Sequence, residues 1–527
     1  MSAARPSWWG WGAADHVPGF PKPLHDLAGR DTPAVPLDEV RLPESRLPER
    51  LRAEGAVSNR EDRIRHAAGK SYPDLIRIRS GDASNAPDGI LYPASHDEVA
   101  RLLALCAEEG VAVVPFGGGT SVVGGVEPLR GGFESVVALD LERIDHLTTD
   151  RTSLMGQFGA GLRGPHAEAR LGARGLTLGH FPQSFEFATI GGYAATRSAG
   201  QASTGYGRFE KLVLGLRAAT PAGEVEVKPF PATAAGPSLR ELFVGSEGAL
   251  GVITEVTLAL RPFPEERRYV GWSFRSFDEG VEAFRTLAHA HAAPDVARLS
   301  DHEETRLALT LSASGSPAER LGKGYLKLRG HEGGCIVIAG YEGEPDDVGR
   351  RARDGARRLR AAGGLALGRR PGESWLRSRY HGPYLRDALL GRGVMVETLE
   401  TATSWTRLPE LHSAVADALR GALAARGTPA LVGAHVSHVY ASGASLYFTW
   451  IARREEGAEM EQWRAAKSAA MEAILAHGGT ITHHHAVGHD HVPWITAEVG
   501  ETGVAALRAL KERLDPAGIM NPGKLLP

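Results

Sequence analysis

The sequence predicts an α+β fold of at least two domains, and three observations lead to that prediction. The chain has 527 residues, whereas a single hydrophobic core stops growing near ~250–300 residues. Between Gly89 and Phe116 the apolar pattern indicates a strand, a helix and a second strand in succession. After Pro262 the alternating pattern gives way to charged segments with helical character. We therefore expect a domain boundary near Pro262.

The first regular elements of the body are the strand GILYP, a helix from Ser95 to Gly110 and the strand VAVVPF. Ser95 and Glu98 fit a capping box, which satisfies two backbone amides at the helix start. The apolar residues of this helix follow the i, i+3, i+4, i+7 spacing: Val99, Leu102, Leu103 and Cys106. This spacing places Cys106 in the core, as a small apolar side chain rather than a reactive thiol.

Composition and charge exclude several classes of protein. Hydrophobic residues make up 42% of the chain and charged residues 23%, as in ordinary globular proteins. The formal net charge of -3 gives no field that would attract nucleic acid or an anionic membrane. The two cysteines, Cys106 and Cys335, are too few for a disulfide framework or a four-cysteine zinc site.

The N-terminal residues 1–21 contain Trp8, Trp9 and Trp11 among Gly and Pro, without the basic start and apolar run of a signal peptide. No apolar stretch reaches the ~18 residues that a membrane-spanning helix needs. We expect a cytoplasmic protein with no nucleic-acid partner. The sequence leaves open a peripheral contact with a membrane and assembly into a homodimer.

A cluster of glycines follows the strand VAVVPF in the segment PFGGGTS, residues 115–121. Backbone N–H groups without a neighbouring Cβ can turn together toward one anion, such as a pyrophosphate. By itself the segment is more typical of a glycine-rich surface turn. Its interpretation therefore depends on the other motifs of the chain.

A second glycine motif, with Gly159, Gly161 and Gly164, matches the GxGxxG spacing of a dinucleotide fingerprint. The context argues against a Rossmann fold, which needs βαβ repeats and an acidic residue after the second strand. The segment PQSFEF does not read as such a strand. The chain also contains no GxxxxGK[ST] and no HExxH motif, so ATP-dependent and zincin chemistry lack their usual sequence support.

Four segments, in this order and spacing, resemble the FAD-binding domain of the vanillyl-alcohol-oxidase family: PFGGGTS, QSFEFAT, TRSA and EGALGVI. The resemblance implies a PCMH-type FAD-binding domain of two α+β subdomains, plus an α+β cap domain for the substrate. It places PFGGGTS around the pyrophosphate and EGALGVI near the adenine side. The residues implied to bind the cofactor are Pro115, Phe116, Gly117, Gly118, Gly119, Thr120, Ser121, Gln183, Ser184, Phe185, Glu186, Phe187, Ala188, Thr189, Thr196, Arg197, Ser198, Ala199, Glu247, Gly248, Ala249, Leu250, Gly251, Val252 and Ile253.

Members of that family often attach the flavin covalently to a His at the position of Thr120. A threonine cannot form that bond, so the resemblance implies non-covalent FAD. We expect three successive parts before the C-terminal segment: a leader at 1–83 that wraps the body, the FAD-binding domain at 84–263 and the cap at 264–475. A C-terminal segment at 476–527 is expected to return to the flavin site.

Further motifs are most similar to those of the alkyl-dihydroxyacetone-phosphate synthases: WWGWG, ARLSD, PYLRD, VETLETATSW, ASGASLYFTW and GGTITHHHAVG. The resemblance covers most of the chain from Trp9 onward. It implies exchange of the acyl group of acyl-dihydroxyacetone phosphate for a fatty alcohol, the step that forms an ether lipid precursor. In that family reduced flavin is a covalent handle through N5, and no net redox change occurs.

The same resemblance implies roles for two arginines. Arg386, in PYLRD, occupies the position that binds the substrate phosphate, for which a guanidinium offers two parallel donors. Arg298, in ARLSD, is the second substrate-binding candidate. Without the resemblance, Arg386 beside Asp387 would read as a surface ion pair.

The catalytic candidates implied by the resemblance are Tyr447, His483, His484 and His485. We expect them to form one proton-transfer unit, in which a hydrogen bond from an imidazole supports the phenol of Tyr447. LYFTW would otherwise read as a plain strand with Tyr447 in the core. Three consecutive residues cannot share one face of a strand, so at most two of the histidines point into the same space.

A metal site is the alternative interpretation of the histidines, because His489, Asp490 and His491 follow closely and imidazoles are common zinc or iron ligands. We favour a proton relay with no metal, since ligand sets usually gather from separate elements. A protein with such a histidine metal cluster, in which the glycine loops are only structural, is the remote alternative.

The chain departs from the synthase pattern at Gln183, which replaces an Asp, at Ala486, which replaces a Gly, and at 521–524, which looks more like 2-hydroxy-acid dehydrogenases. The main alternative is therefore an FAD-linked oxidase or dehydrogenase of a D-2-hydroxy acid or another alcohol. Such enzymes usually carry GEHG at the position of residues 483–486, which favours the synthase. The substrate is accordingly a lipid-like molecule or a hydroxy acid.

Overall fold

The computed structural model describes residues 7–12, 18–313 and 316–527. Residues 1–6 and 13–17 of the expected leader lie outside the described part. Apolar runs with β-branched residues form the strands, as their spacing predicts. The strands are β1 Gly89–Leu91, β2 Val111–Phe116, β3 Ser135–Asp140, β4 Leu147–Asp150, β5 Met155–Gly159, β6 Leu176–Thr177, β7 Val213–Thr220, β8 Gly223–Val227, β9 Val252–Ala259, β10 Arg261–Pro262, β11 Glu266–Phe274, β12 Val296–Ser300, β13 Cys335–Gly343, β14 Leu365–Gly368, β15 Val394–Ser404, β16 Leu431–Val439 and β17 Gly443–Arg453.

The helices cover the sheets and begin in many cases at a side chain that accepts a hydrogen bond from a free backbone amide. They are α1 Glu49–Ala53, α2 Arg60–Arg65, α3 Tyr72–Arg79, α4 His96–Glu108, α5 Gly164–Gly172, α6 Ile190–Ala195, α7 Ser203–Tyr206, α8 Phe209–Leu212, α9 Leu239–Phe243, α10 Phe277–His289, α11 His302–Leu311, α12 Pro317–Leu328, α13 Pro345–Ala361, α14 Arg369–Ser378, α15 Gly382–Leu390, α16 Leu408–Ala425, α17 Glu459–Ala476 and α18 Ile495–Leu514. Short 3-10 turns lie at Lys22–Leu27, Leu37–Glu39 and Val492–Trp494.

Two small sheets occupy the first half of the chain. One is parallel with the order β1-β3-β2, and the other is antiparallel with the order β4-β5-β9-β7-β8. A short antiparallel pair, β6 with β10, lies beside them. The two sheets are the pair of α+β subdomains that the resemblance implies, and the predicted α+β fold class is confirmed.

The second half of the chain forms a larger antiparallel sheet with the order β14-β11-β13-β12-β16-β17-β15. In its long central hairpin, β16 and β17 are paired so that His435 lies opposite Tyr447. On the other side of β17, β15 places Glu400 opposite the same tyrosine. Because partners in an antiparallel pair share a face, these three side chains project to the same side of the sheet.

The start of the parallel sheet follows the sequence prediction closely. Ser95 caps α4 by accepting a hydrogen bond from the Glu98 amide at 3.2 Å. Glu98 accepts in return from the amide of Ala94, one residue before the position that a strict capping box uses. Cys106 is buried, as its helical spacing predicts. The loop at 117–121 therefore begins directly at the end of the buried strand β2.

The terminal segments contact parts of the chain that are distant in sequence. The amide of Gly29 donates to the carbonyl of Arg392 at 2.9 Å, and Arg453 donates to the carbonyl of Asp26 at 3.0 Å. Near the other end, the amide of Asn521 donates to the carbonyl of Val113 at 2.8 Å. Of the helices in the described ranges, none combines the length and the apolar character needed to cross a membrane.

Candidate functional site

A cavity of about 480 Å³ lies between the two small sheets and the larger one. Its wall brings together all four segments that the sequence resemblance singles out, along with both arginines, the tyrosine and two of the three histidines. The predicted residues that line it are Pro115, Phe116, Gly117, Gly118, Gly119, Thr120, Ser121, Gln183, Ser184, Ala188, Thr189, Thr196, Ser198, Ala199, Glu247, Gly248, Gly251, Val252, Ile253, Arg298, Arg386, Tyr447, His484 and His485. The predicted residues outside the wall are Phe185, Glu186, Phe187, Arg197, Ala249, Leu250 and His483.

The glycine loop offers backbone donors to this cavity. Within the described ranges, no backbone N–H of residues 117–121 donates a hydrogen bond to the protein. Gly119 has a φ of 63°, which turns the loop back after the strand. A Cβ at Gly118 would lie 2.1 Å from the carbonyl oxygen of Phe187. The loop is therefore packed tightly from behind and keeps free amides, which fits a pyrophosphate group.

The segment 183–189 crosses the glycine loop and starts helix α6, with Thr189 capping the amide of Gly192 at 3.3 Å. Gln183 lines the cavity, and its Nε2 is buried without a hydrogen-bond partner among the described residues. The side chains of Phe185, Glu186 and Phe187 do not line the cavity. Phe185 stacks on Tyr380, and Phe187 meets the Trp11 ring edge-on at 5.6 Å.

Some predicted cofactor residues have structural contacts instead. Arg197 forms an ion pair with Glu241 at 3.0 Å, away from the cavity. Ala249 and Leu250 belong to hydrophobic cores. The sequence analysis included these three residues because they belong to the motifs TRSA and EGALGVI, whose other members line the cavity. Glu247 is buried and accepts hydrogen bonds from the amides of Val487 and Gly488, and burial raises its pKa to about 7.

Arg386 projects from α15 into the cavity wall with most of its donors unused. Its Nη1 donates to the carbonyl oxygen of Lys70 at 2.7 Å. Its Nε and Nη2 are buried, and neither has a partner among the described residues. The neighbouring Asp387 is buried and accepts from the backbone of Trp11, so the surface ion pair suggested by the sequence is wrong. Two adjacent buried donors without acceptors are a costly arrangement unless an anion completes it.

Arg298 also lines the cavity, but it is bound to other side chains. It forms an ion pair with Glu304 at 2.8 Å and lies within 3.0 Å of the His435 ring nitrogen Nε2. Burial opposes the charge on Glu304, yet Arg298 and His435 together lower its pKa to about 2. The arginine is thus a positioned cation in the wall, with fewer free donors than Arg386.

Tyr447 lies at the centre of the β17 face that borders the cavity. Its ring centroid is 5.0 Å from that of His435, 6.1 Å from that of His484 and 5.5 Å from that of His485. Burial raises the pKa of Tyr447 to about 12, although a hydrogen bond with Thr398 opposes the shift. The phenol is therefore protonated at neutral pH.

The expected hydrogen bond between the phenol and an imidazole is absent among the described residues. Tyr447 meets His484 and His485 through ring contacts instead. The reason lies in the backbone, because the histidines follow a loop rather than the strand on which the expectation was based.

The histidine loop is held by a single buried carboxylate. Glu400 accepts hydrogen bonds from the backbone amides of His483, His484 at 3.0 Å and His485 at 2.5 Å. His483 turns away, and its Nε2 lies 2.6 Å from the hydroxyl of Tyr440. The sequence prediction allowed at most two of the three histidines to face the cavity, and two do, His484 and His485. Burial lowers the pKa of all three imidazoles below the ordinary value, so each is neutral at neutral pH.

The metal alternative draws on a different set of histidines from the one expected. Among the described residues, the grouping close enough to hold an ion is His438, His483 and His484. Both ring nitrogens of His483 are engaged, Nε2 with Tyr440 and Nδ1 with His484 at 2.9 Å. His489 is exposed, and Nδ1 of His491 donates to the carbonyl oxygen of Ala486 at 2.9 Å. The geometry of the loop thus favours hydrogen bonding over coordination.

Sequence reasoning missed several residues of the wall: Thr398, Glu304, His435, Ser437, His438 and Thr449. The strand sequence AHVSHV carries a weak signal for two of them, since polar residues alternate with apolar ones along β16. Thr398 and Glu400 lie in the motif VETLETATSW, but nothing in that motif shows which of its side chains reach the site. Their role depends on strand pairing, which the sequence alone does not reveal.

Comparisons with known proteins place this geometry in a family. The chain matches the family described as FAD binding domain over residues 87–227 and the family described as FAD linked oxidases, C-terminal domain, over residues 263–525. It is 36% identical over 476 residues to the alkyldihydroxyacetonephosphate synthase of Trypanosoma brucei brucei, covering 88% of this chain and 77% of that protein. The chain belongs to the alkyldihydroxyacetonephosphate synthase family.

Two further comparisons agree with this family. The alkyldihydroxyacetonephosphate synthase of Dictyostelium discoideum is 34% identical over 513 residues, covering 94% of this chain and 84% of that protein. A solved structure of an alkyldihydroxyacetonephosphate synthase matches with a TM-score of 0.85 at 30% identity, covering 99% of each chain. The predicted family and the FAD cofactor are confirmed. The individual residue roles and the domain boundaries stay predictions.

Proposed function

We propose that this protein is a transferase that replaces the acyl group of acyl-dihydroxyacetone phosphate with a fatty alcohol. The observation that carries the proposal is Arg386, whose buried Nε and Nη2 have no acceptor in the described part of the chain, beside the cavity. A phosphate monoester supplies adjacent oxygens that match two donors of a guanidinium. The anchored headgroup would then lie in the same cavity as Tyr447 and the histidines.

Four leucines give the cavity that contains Arg386 an apolar wall, which suits aliphatic chains. Leu385 and Leu389 come from the same helix, and Leu307 and Leu311 of α11 line the same cavity. Burying each methylene of a fatty chain contributes roughly 0.8 kcal/mol. A cavity that combines a phosphate anchor with an aliphatic wall fits a lipid with a phosphorylated headgroup better than a small hydroxy acid.

The exchange needs proton transfers but no net transfer of electrons. The alcohol gives up its hydroxyl proton, and its oxygen bonds to the headgroup carbon that carried the acyl group. The bond between that carbon and the acyl oxygen breaks, and the carboxylate leaves with the proton as a fatty acid. Residues 115–121 and the neighbouring wall would hold FAD, whose flavin would supply a nucleophilic group beside the headgroup. At neutral pH Tyr447 is a neutral phenol and His485 is a neutral imidazole, because the pKa of the first is raised and that of the second is lowered. The phenol can therefore donate a proton and the imidazole can accept one.

A direct assay tests the exchange. Purified holoprotein is incubated with acyl-dihydroxyacetone phosphate and a radiolabelled fatty alcohol, while a parallel sample is tested for oxygen consumption with D-lactate. We expect label in the ether product and no oxygen consumption. Oxygen consumption without labelled ether would support the hydroxy-acid oxidase instead and overturn the proposal.

We also propose that this protein works in the cytoplasm and visits membranes to collect its lipid. The support is helix α12, where Leu321 is 75% exposed and Leu328 is 83% exposed. Tyr325, at 45%, lies on the same side, one turn from each. Lys323 and Lys327 lie beside this apolar face, and each pairs with a glutamate, Glu319 at 2.7 Å and Glu332 at 3.9 Å, so the apolar side chains carry the proposed contact.

Cosedimentation tests the membrane contact. Vesicles of phosphatidylcholine, with or without phosphatidylglycerol, are spun with the wild type and with Leu321→Ser/Leu328→Ser. We expect the wild type to pellet with vesicles of both compositions, and the variant to stay in the supernatant with unchanged thermal stability. Equal pelleting of both proteins would contradict docking through α12.

A further inference from the structure

The carboxylate of Glu400 collects an unusual set of donors from one stretch of chain. It accepts the backbone amides of His483, His484 and His485, and the hydroxyl of Thr482 lies 2.9 Å from its Oε1. Glu400 is only 2% exposed, so water cannot replace it as the acceptor. Three successive amides that converge on one anion form a site of fixed geometry.

The loop depends on this carboxylate because it has no regular secondary structure of its own. Residues 480–488 contain no helix or strand, so their buried amides need partners outside the loop. Glu400 supplies them for residues 483–485, and Glu247 supplies them for Val487 and Gly488. Without Glu400, three adjacent amides would be left without an acceptor.

Glu400 also sets where the loop lies relative to Tyr447. The two residues are paired across β15 and β17, and their side chains share a face of the sheet. A carboxylate fixed on the strand next to the tyrosine holds the loop backbone beside that ring. The imidazoles of His484 and His485 are consequently brought to centroid distances of 6.1 and 5.5 Å from it.

We propose that Glu400 is a positioning residue, which holds the histidine loop so that His484 and His485 face Tyr447 across the reaction cavity. The proposal rests on the proposed function, because it takes the tyrosine and histidines as the proton-transfer groups. Glu400 itself does not line the cavity. It is expected to act on the rate of turnover and to leave substrate anchoring at Arg386 intact.

Glu400→Gln tests the proposal, because it keeps the shape of the side chain and replaces one acceptor oxygen with an NH2 group. We expect kcat of the holoenzyme to fall at least about tenfold, while KM for acyl-dihydroxyacetone phosphate and bound flavin stay within about twofold of wild type. Glu498→Gln is the matched control. Glu498 is exposed and accepts from Thr480 and Ile481, just before the histidines, so its variant should keep wild-type kcat.

Wild-type kcat in Glu400→Gln, or an equal loss in Glu498→Gln, would overturn the proposal. If Glu400→Gln does not fold, Thr482→Val removes only the hydroxyl that contacts the carboxylate. It should then lower kcat severalfold at unchanged KM, and an unchanged kcat would overturn the proposal. Tyr447→Phe, measured in parallel, separates the two hypotheses. Full turnover in Tyr447→Phe would remove the tyrosine from proton transfer and would overturn the positioning role with it, whereas lost turnover beside a normal Glu400→Gln contradicts the positioning role alone. Absence of ether product with the wild type would contradict the proposed function.

Discussion

The rings of Tyr447 and His485 meet edge-on, with centroids 5.5 Å apart and planes at 85°. This contact brings a phenol and an imidazole to one cavity wall without a direct hydrogen bond. Tyr447→Phe preserves the ring and removes the hydroxyl. We expect turnover to fall by about 10²–10⁴-fold, as for loss of a general acid or base, with flavin content and thermal stability near wild type.

The double variant Tyr447→Phe/His484→Ala tests whether these groups act together. If one proton passes through both, the double variant should be little slower than the slower single variant. Steady-state kinetics of the two single variants and the double variant measure this. Rate losses that multiply, or a tightly bound metal that disappears with His484, would contradict the relay.

Arg386→Lys keeps the charge and removes the fork of donors. The substrate phosphate should bind more weakly by ~1.5–3 kcal/mol, which raises its Kd by at least about tenfold. Binding of glycerol phosphate or the lipid substrate measures the effect. Arg392→Lys is the control, because Arg392 pairs with Asp31 outside the cavity. Equal affinity in Arg386→Lys and wild type would remove Arg386 from the substrate site.

Gly118→Val should empty the flavin site. The new Cβ would lie 2.1 Å from the carbonyl oxygen of Phe187, and a backbone atom cannot move aside cheaply. The displaced segment belongs to the same cavity wall, and overpacking costs on the order of 1–3 kcal/mol. The visible absorbance per protein measures flavin content. Gly421→Val, on an open face of α16, is the control, and full occupancy in Gly118→Val would contradict the placement.

The pH dependence of turnover follows from the buried imidazoles. Burial lowers the pKa of His485 below its ordinary 6.5, with Glu400 opposing the shift. A base with a lowered pKa stays neutral to more acidic pH, so activity should persist below pH 6.5 and fall only as pH drops through the lowered pKa. Tyr447, with its pKa raised to about 12, should cause no loss on the alkaline side below that value. An acid limb of kcat at or above pH 6.5 would contradict this environment.

The sequence predicted the fold class and the family because their signals are local. The segment 115–121 comes directly after a run of β-branched residues, and its glycines can be recognised without knowing the three-dimensional structure. Glu304, Glu400 and His435 were missed because some of their contacts join segments that are far apart in sequence: His435 contacts Glu304, and Glu400 contacts residues 483–485. The loop at 483–485 was taken for a strand, since nothing in its composition shows that Glu400 satisfies its amides.

The stoichiometry of the reaction under anaerobic conditions tests the central claim most directly. The holoenzyme is mixed with acyl-dihydroxyacetone phosphate and fatty alcohol without any electron acceptor, and ether product, fatty acid and flavin absorbance are followed together. We predict many turnovers, one fatty acid released for each ether formed, and a flavin redox state that is the same before and after the reaction. A reaction that stops after one turnover, or that proceeds only with oxygen or another acceptor, would contradict the redox-neutral exchange.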